Sequence, residues 1–238
     1  LESLHIPFTG AGSFSLSLTS DKIRTKHLLS ENKIPTAKWF TKTEPFIPDS
    51  CKYYIIKPVW EDGSVGISDN SVIAGNDNRI MHLLNSSGHA VFVEEYIHGR
   101  EFNISVLGNS GNPEIFPPAE IQFLNYPAGK PHILNYNSKW KENSFEYNHS
   151  VRNFEFCDED FPLLDEIKEI SCRCWEILEL SGYARIDFRV DEKNKPYVLE
   201  ANANPCLSPD AGFIAASSRA GMNYKDVIEK IIHEAFLR

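Results

Sequence analysis

The chain has 238 residues, of which 42% are apolar and 24% charged, and its formal charge is −9. This length and balance predict a folded, soluble protein with one large domain or two lobes. The negative charge argues against nucleic acid or an anionic membrane as the main partner, because both require a basic surface. The five cysteines show no C-x-x-C spacing, and no apolar run reaches membrane-spanning length. We therefore expect a cytoplasmic protein with reduced thiols and no zinc site.

Capping residues and apolar spacing predict four helices. The first is capped by Thr19 or Ser20, starts at Asp21 and runs to about Asn32. The second lies near residues 77 to 87. Two more follow in the C-terminal half, one from Pro162 to a glycine cap near Gly182 and one that starts at Asn223. The last helix is expected to bury a stripe formed by Val227, Ile228, Ile231 and Ile232.

Short apolar segments predict strands at residues 53–57, 91–95 and 102–106. The Asn-, Pro- and Tyr-rich stretch from 113 to 152 gives no clear pattern. Because strands and helices alternate irregularly, the sequence favours an α+β fold with antiparallel sheet over a doubly wound parallel sheet.

Two short strands joined by a turn carry the strongest functional signal. In residues 184–190, apolar side chains alternate with polar ones, which predicts one buried and one polar face. The polar residues are Arg185, Asp187 and Arg189. Residues 197–202 repeat the alternation, and the turn-like residues 191–196 complete an antiparallel hairpin. The side chains expected on one side of the second strand are Val198, Glu200 and Asn202.

If this hairpin closes symmetrically about Lys193 and Asn194, Asp187 lies opposite Glu200, and Arg185 lies opposite Asn202. Directly opposed residues have Cβ atoms roughly 4.5 to 5.5 Å apart, so two carboxylates repel there unless a proton or cation lies between them. Two acids and an amide carbonyl suit Mg²⁺, which prefers oxygen ligands and keeps positions for phosphates. Arg185 would offer a planar fork to a phosphate or a developing oxyanion.

The hairpin alone is equally consistent with an ordinary solvated surface, because the pattern does not fix its register. Three further segments favour a functional site. Lys57 leaves a strand shortly before the loop 63–66, whose backbone N–H groups can surround a phosphate. Residues 94–101 leave a strand through a glycine turn with a carboxylate placed for ribose hydroxyls, and residues 200–205 form a polar loop after a strand. The alternative for the first segment is an ordinary hairpin tip, and for the second it is a solvated acidic hairpin.

Taken in order, these segments resemble the D-alanine–D-alanine ligase branch of the ATP-grasp superfamily over almost the whole chain. The matching segments are residues 6–10, 21–26, 56–58, 63–66, 93–102, 138–140, 184–187 and 199–205. The resemblance implies an α+β ATP-grasp fold whose two lobes, with antiparallel sheets, clasp ATP. It places the lobes at residues 19–93 and 94–238, with residues 1–18 ending a further N-terminal domain.

The resemblance also implies roles for individual residues. The implied ATP contacts are Lys22 and Lys57 at the phosphates, Ser64 in the loop that closes over them, Glu94, Glu95 and Ile97 at the adenine edge, and Glu101 at the ribose. The implied ligands of Mg²⁺, with Mn²⁺ as a second candidate ion, are Asp187, Glu200 and Asn202. Arg185 and Lys139 match groups that stabilise the transferred phosphoryl group and the tetrahedral intermediate.

The departures from this family lie at positions expected to contact the substrates. Gly63 replaces a serine, Trp140 replaces a tyrosine, and the loop after Pro205 has a different sequence. The candidate substrate residues are Trp140, Cys206, Ser208 and Asp210. Asp210 could receive an amino group, or it could cap a helix that starts near Ala211. These changes favour a substrate other than D-alanine.

The expected activity is that of an ATP-dependent carboxylate–amine ligase, which would join small amino acids or peptides through an acyl phosphate and release ADP. One alternative is a nucleotide-binding or regulatory module of the same fold that has lost ligation. The other is D-alanine–D-alanine ligase itself. A homodimer is the ordinary expectation for such a protein.

Overall fold

The structure is a computed structural model that describes residues 1–86, 90–108, 111 and 113–237. Its helices are α1 (Ser13–Thr19), α2 (Lys22–Glu31), α3 (Arg79–Ser86), α4 (Tyr136–Trp140), α5 (Phe145–His149), α6 (Phe161–Ile177), α7 (Gly212–Arg219) and α8 (Tyr224–Ala235). Its strands are β1 (Trp39–Phe40), β2 (Tyr53–Pro58), β3 (Val72–Ala74), β4 (Val91–Glu95), β5 (Arg100–Gly108), β6 (Glu114–Ile115), β7 (Ala119–Phe123), β8 (Ser150–Asn153), β9 (Gly182–Val190) and β10 (Pro196–Asn202). Among the residues described, no helix has the length and apolar character needed to cross a membrane.

The strands form two sheets. The smaller sheet has the order β1-β4-β2-β3, and the larger one has the order β10-β9-β5-β7-β8, with β6 pairing to β5. The registers of β1–β4, β2–β3, β2–β4, β5–β6, β5–β7, β5–β9 and β9–β10 are all antiparallel. The predicted α+β class with antiparallel sheets is therefore confirmed.

The chain divides into two compact units that are interleaved in sequence. The first unit comprises Leu1–Thr36, Arg100–Ile121 and Arg152–Arg238, and the second comprises Ala37–Gly99 and Gln122–Val151. In the first unit, apolar side chains of α2, α6, β5, β9 and β10 form one core, and α7 and α8 contribute to another. In the second unit, the core gathers side chains of β2, β3, α3 and β4. The lobe boundaries given above from sequence stay a prediction.

Two predicted helix ends are wrong. The N-cap of α2 is Asp21, whose carboxylate accepts hydrogen bonds from the N–H groups of Ile23 and Arg24, both at 3.1 Å. An acidic cap also suits the positive end of the helix dipole. Helix α6 ends at Ile177, and Glu179 just after it takes the left-handed φ of 50° that is typical of a helix end. Gly182 is not a helix cap, because it is the first residue of β9.

The predicted buried stripe of α8 is only partly correct. The helix begins after Asn223 as predicted, and Val227 and Ile231 are buried. Ile232 is 48% exposed, whereas Glu234 is buried. At 3.6 residues per turn, positions 227, 231 and 234 fall on one narrow face, and position 232 points roughly 100° or more away from each of them.

We expect the adjacent residues Ile231 and Ile232 to respond very differently to truncation. Ile231→Ala should lower the free energy of unfolding by about 2–5 kcal/mol, because it leaves a cavity in a packed core. Ile232→Ala, the same chemical change on the exposed side, should cost within about 0.5 kcal/mol. Urea unfolding of both variants tests this, and equal losses would contradict the assigned face.

Candidate functional site

Strands β5, β9 and β10 present one polar face over three alternate rows of paired residues. The rows are Glu101–Arg189–Tyr197, Asn103–Asp187–Glu200 and Ser105–Arg185–Asn202. The rows on the opposite face are apolar, and they are Phe102–Phe188–Val198 and Ile104–Ile186–Ala201. Paired residues share a face of the sheet, so the predicted opposition of Asp187 to Glu200 and of Arg185 to Asn202 is confirmed.

The hairpin reaches this register through a β-bulge rather than by symmetric closure. The register shifts by one residue between Val198 and Glu200, which leaves Leu199 as the extra residue. On the turn side of the bulge, Val198 pairs with Phe188 and is fully buried. The prediction that Val198 shares a side with Glu200 is therefore wrong, because a one-residue shift moves side chains to the other face.

Asp187 lies in the central row of the polar face, and the residue is only 6% exposed. Arg185 donates to both of its oxygens, from Nε to Oδ1 at 2.7 Å and from Nη2 to Oδ2 at 2.8 Å. Asn103 Nδ2 also donates to Oδ1, at 2.8 Å. Two hydrogen bonds between a guanidinium and a carboxylate fix the planes of both groups, here those of Arg185 and Asp187. Asn103 is not among the residues predicted from the sequence.

Arg185 is the cation that pairs with Asp187 on this face. Burial would lower the pKa of its guanidinium, but the charge and hydrogen bonds of Asp187, followed by the charges of Glu200 and Glu101, outweigh it. The net effect raises the pKa of Arg185 above its ordinary value. Arg185 therefore carries a positive charge at neutral pH.

Two further predicted residues of the first unit, Glu101 and Lys22, are also buried. Glu101 and Arg189 face each other across β5 and β9, with Arg189 Nη1 3.3 Å from Glu101 Oε2. Lys22 is the first residue of α2 and is 9% exposed. The predicted contacts of Glu101 with ribose and of Lys22 with phosphate stay predictions.

The oxygen atoms of the polar face fit a hard divalent cation. Asp187 and Glu200 supply two opposed carboxylates, and Asn202 supplies an amide oxygen that accepts from the Asn204 N–H at 3.0 Å. The described part of the chain has no cluster of three or more His, Cys, Asp or Glu side chains suited to a metal ion. An ion held here would therefore need Asn202 as its third side-chain ligand, a donor that Mg²⁺ accepts.

In the second unit, Lys57 of β2 forms an ion pair with Glu94 of β4, with Nζ and Oε1 2.9 Å apart. The Glu94 side chain is 1% exposed and that of Lys57 is 15% exposed. A buried charge is stable only when it is paired, so this contact fixes the lysine at the end of its strand. Glu95 pairs with Lys52 at 2.8 Å, and the partly buried Ile97 follows the strand.

The loop at residues 63–66 has an unusual backbone. Gly63, Ser64 and Gly66 all have positive φ angles, of 62°, 62° and 76°. The Ser64 hydroxyl donates to the backbone carbonyl of Leu134 at 2.7 Å. The loop is thereby joined to the segment that leads into α4, where the half-buried Lys139 lies.

Two of the departures from the family are in direct contact with each other. Trp140 Nε1 donates to the carbonyl oxygen of Gly63 at 2.8 Å. A Cβ atom at position 63 would lie 3.2 Å from Cζ2 of the indole ring, and the positive φ disfavours any side chain there. Trp140 and Gly63 thus form a matched pair, which we call the Trp140–Gly63 contact.

The loop after Pro205 brings the other candidate substrate residues together at the surface of the first unit. Cys206 Sγ lies 3.1 Å from Ser208 Oγ, and the hydrogen bond of Ser208 to Asp210 lowers the pKa of that carboxyl. Arg152 Nη1 donates to the backbone carbonyl of Asp210 at 3.1 Å, a contact that the sequence did not indicate. Helix α7 is capped at Ala211 without a side-chain hydrogen bond, so Asp210 does not act as its N-cap.

Comparisons with known proteins agree with this geometry. The family model for the D-ala D-ala ligase C-terminus matches residues 35–233. The D-alanine–D-alanine ligase of Bordetella pertussis is 30% identical over 243 residues, which cover 99% of this chain and 72% of the relative. D-alanine–D-alanine ligase B of Clostridium perfringens is 30% identical over 240 residues, with 98% and 73% covered.

Solved structures show the same fold. The D-alanine–D-alanine ligase from Bacillus anthracis, crystallised in complex with ATP, superposes with a TM-score of 0.74 at 23% identity. The match covers 100% of this chain and 72% of that one. The predicted ATP-grasp fold class is therefore confirmed.

We expect Trp140→Phe to loosen the loop at residues 63–67, because it removes the indole donor while keeping an aromatic ring. One lost hydrogen bond of about 0.5–1.5 kcal/mol predicts amide exchange about two- to tenfold faster in the loop. Trp60→Phe is the matched control, since Trp60 lies in the same unit and is 61% exposed against 60% for Trp140. Hydrogen–deuterium exchange gives the measurement, and equal exchange in both variants would contradict the Trp140–Gly63 contact.

Proposed function

The chain belongs to the family of the D-alanine–D-alanine ligase C-terminal domain, and we infer that it is an ATP-dependent ligase that joins a carboxylate to an amine. One observation carries most of this inference. The polar face of the larger sheet sets two opposed acids, an amide and a paired arginine within the segment that the family model covers. A pure binding module would not require all four groups.

The reaction has two steps. In the first, a carboxylate oxygen of one substrate attacks the γ-phosphorus of ATP, the bond to the β-phosphate oxygen breaks, and ADP leaves. In the second, the amine nitrogen of the other substrate attacks the acyl carbon, loses a proton, and displaces inorganic phosphate. Negative charge gathers on oxygen atoms in both steps, so cations and positioning supply most of the catalysis.

Arg185 is the residue we assign to the transferred phosphoryl group. Its ion pair with Asp187 uses Nε and Nη2, which leaves Nη1 outside that pair. Because the pair fixes the guanidinium plane, little side-chain entropy would be lost when a phosphate oxygen accepts from it. Lys139 is assigned to the negative charge of the same phosphoryl group and to the oxyanion of the tetrahedral intermediate.

We assign Asp187, Glu200 and Asn202 to Mg²⁺, with Mn²⁺ as a substitute. A bound divalent ion would supply positive charge to the phosphate oxygens as they transfer. Lys57, Lys22 and the backbone of the loop that contains Ser64 are assigned to the phosphates, where N–H groups and ammonium groups suit anions. Glu94, Glu95 and Ile97 are assigned to adenine, and Glu101 is assigned to ribose.

The substrates are small molecules. We propose that the carboxylate of Asp210 binds the positively charged amino group of the amine substrate. An aspartate is ionised at neutral pH, and the lowered pKa of Asp210 favours that form further. The changed loop favours an amine other than D-alanine, and D-alanine–D-alanine ligase activity is the second candidate because the relatives carry that name. ATP-dependent chemistry and five unpaired cysteines fit the cytoplasm.

We expect Asp187→Asn and Glu200→Gln each to lower kcat by about 100-fold or more, because each removes a charge that acts on the transferring phosphoryl group. Glu192→Gln, in the exposed turn of the same hairpin, is the matched control and should keep wild-type turnover. ADP and phosphate release from full-length protein with Mg²⁺, over a panel of amino acids, gives the measurement. Tight ATP binding without turnover for any pair would favour the regulatory module instead.

We expect Asp210→Ala to raise the KM for the amine substrate by about three- to tenfold with little change for the carboxylate substrate, since one exposed charge contact is lost. The control is Asp165→Ala on α6, whose side chain is 76% exposed. An unchanged KM for every amine tested would remove Asp210 from the substrate site.

A further inference from the structure

We propose that Thr36 and Lys26 are positioning residues for the metal site, because they hold the β-bulge that turns Glu200 toward Asp187. This inference rests on the proposed function of Asp187, Glu200 and Asn202. Neither Thr36 nor Lys26 lies on the polar face. Both belong to the first unit: Lys26 lies in α2, and Thr36 forms a bridge with Val198 at the outer edge of β10.

The bulge decides which side chain of β10 meets Asp187. Val198 pairs with Phe188, and after the extra residue Leu199, Glu200 pairs with Asp187. Without the extra residue, Leu199 would meet Asp187, and Glu200 would face the buried side with Ile186. A carboxylate in that apolar row would be costly, and the polar face would lose one of its two acids.

The residue immediately before the bulge is held on both of its backbone polar groups. The N–H of Val198 donates to the carbonyl of Pro35 at 2.8 Å, and the carbonyl of Val198 accepts from Thr36 Oγ1 at 2.8 Å. Thr36 and Val198 form a parallel bridge at this point. Residues outside the hairpin thus hold Val198 in place. We infer that this is why the extra residue, Leu199, lies after Val198 rather than before it.

Lys26 sets the direction of the Thr36 hydroxyl. Its side chain is 1% exposed, and Nζ donates to Thr36 Oγ1 at 2.7 Å. An ammonium can only donate and a carbonyl can only accept, so the hydroxyl must give its own proton to Val198. The chain of hydrogen bonds runs from the ammonium through the hydroxyl to the bulge, and charge assistance strengthens it.

The plain alternative is that Thr36 only stabilises the fold. Thr25 offers a matched control, because its hydroxyl donates to the backbone carbonyl of Leu18 at 2.9 Å in the same unit but away from the bulge. Thr36→Val and Thr25→Val remove the same kind of hydrogen bond and keep the side-chain shape. Thr36→Ser keeps the hydroxyl and should behave as the wild type.

The test is the affinity of the full chain for Mn²⁺ in the presence of a non-hydrolysable ATP analogue. Electron paramagnetic resonance measures this binding. Thr36→Val should raise the Kd for Mn²⁺ by about tenfold, the size of effect expected for residues that orient metal ligands. Thr25→Val and Thr36→Ser should stay within about twofold of the wild type. Amide exchange at residues 199–201 should also become faster in Thr36→Val alone, which gives a readout that needs no metal.

The variant Asp187→Asn distinguishes a failure of the role proposed for Thr36 from a failure of the proposed metal site. Loss of Mn²⁺ binding in Asp187→Asn, together with wild-type binding and exchange in Thr36→Val, would overturn only the role of Thr36. Equal weakening in Thr36→Val and Thr25→Val would also overturn it, since that is the result of general destabilisation. Unchanged Mn²⁺ binding in Asp187→Asn would instead refute the metal site itself.

Discussion

The repulsion between Asp187 and Glu200, fixed opposite each other on paired strands, is the constraint on which the polar face of the larger sheet depends. Like charges on directly opposed residues destabilise a sheet. Here Arg185 and Arg189 flank Asp187 along β9, and each forms an ion pair with an acid of the same face. Replacement of such buried pairs by apolar residues is often neutral or stabilising, so stability alone does not explain them. Their presence is better explained by a ligand with charges of its own.

The apolar face of the same strands gives these charges a rigid support. Phe102, Phe188, Ile104 and Ile186 are fully buried in the core of the first unit, directly behind the charged rows. Close-packed side chains resist small displacements, so the polar groups keep their spacing. Catalytic groups on strands are held more precisely than groups on loops. This explains why the acids and Arg185 lie on β9 and β10, and why the residues expected to differ between substrates lie elsewhere.

The pairing of Asp187 with Glu200 could be predicted from the sequence, but the β-bulge that produces it could not. Symmetric closure and a bulge give the same partners at the site, and Leu199 is an apolar residue among others, so nothing local marks it as the extra one. The bulge is determined by Thr36, which is 162 residues from Val198 in sequence. Asn103 is likewise 84 residues from Asp187, although alternation of polar and apolar residues in β5 could have indicated its face. Contacts between distant segments depend on the fold, which local patterns do not specify.

The Trp140–Gly63 contact changes how the departures from the family should be understood. Two substitutions that look independent in sequence meet in one hydrogen bond and one ring packed over a glycine. A side chain at position 63 would crowd the indole, and a residue without an N–H donor at position 140 would leave the Gly63 carbonyl without this bond. They therefore form one structural change at the loop of residues 63–66, separate from the changed residues 206–210. Since loops that leave a rigid scaffold tolerate such changes, we expect the energy source and chemical step to be shared with the family and the substrate to differ.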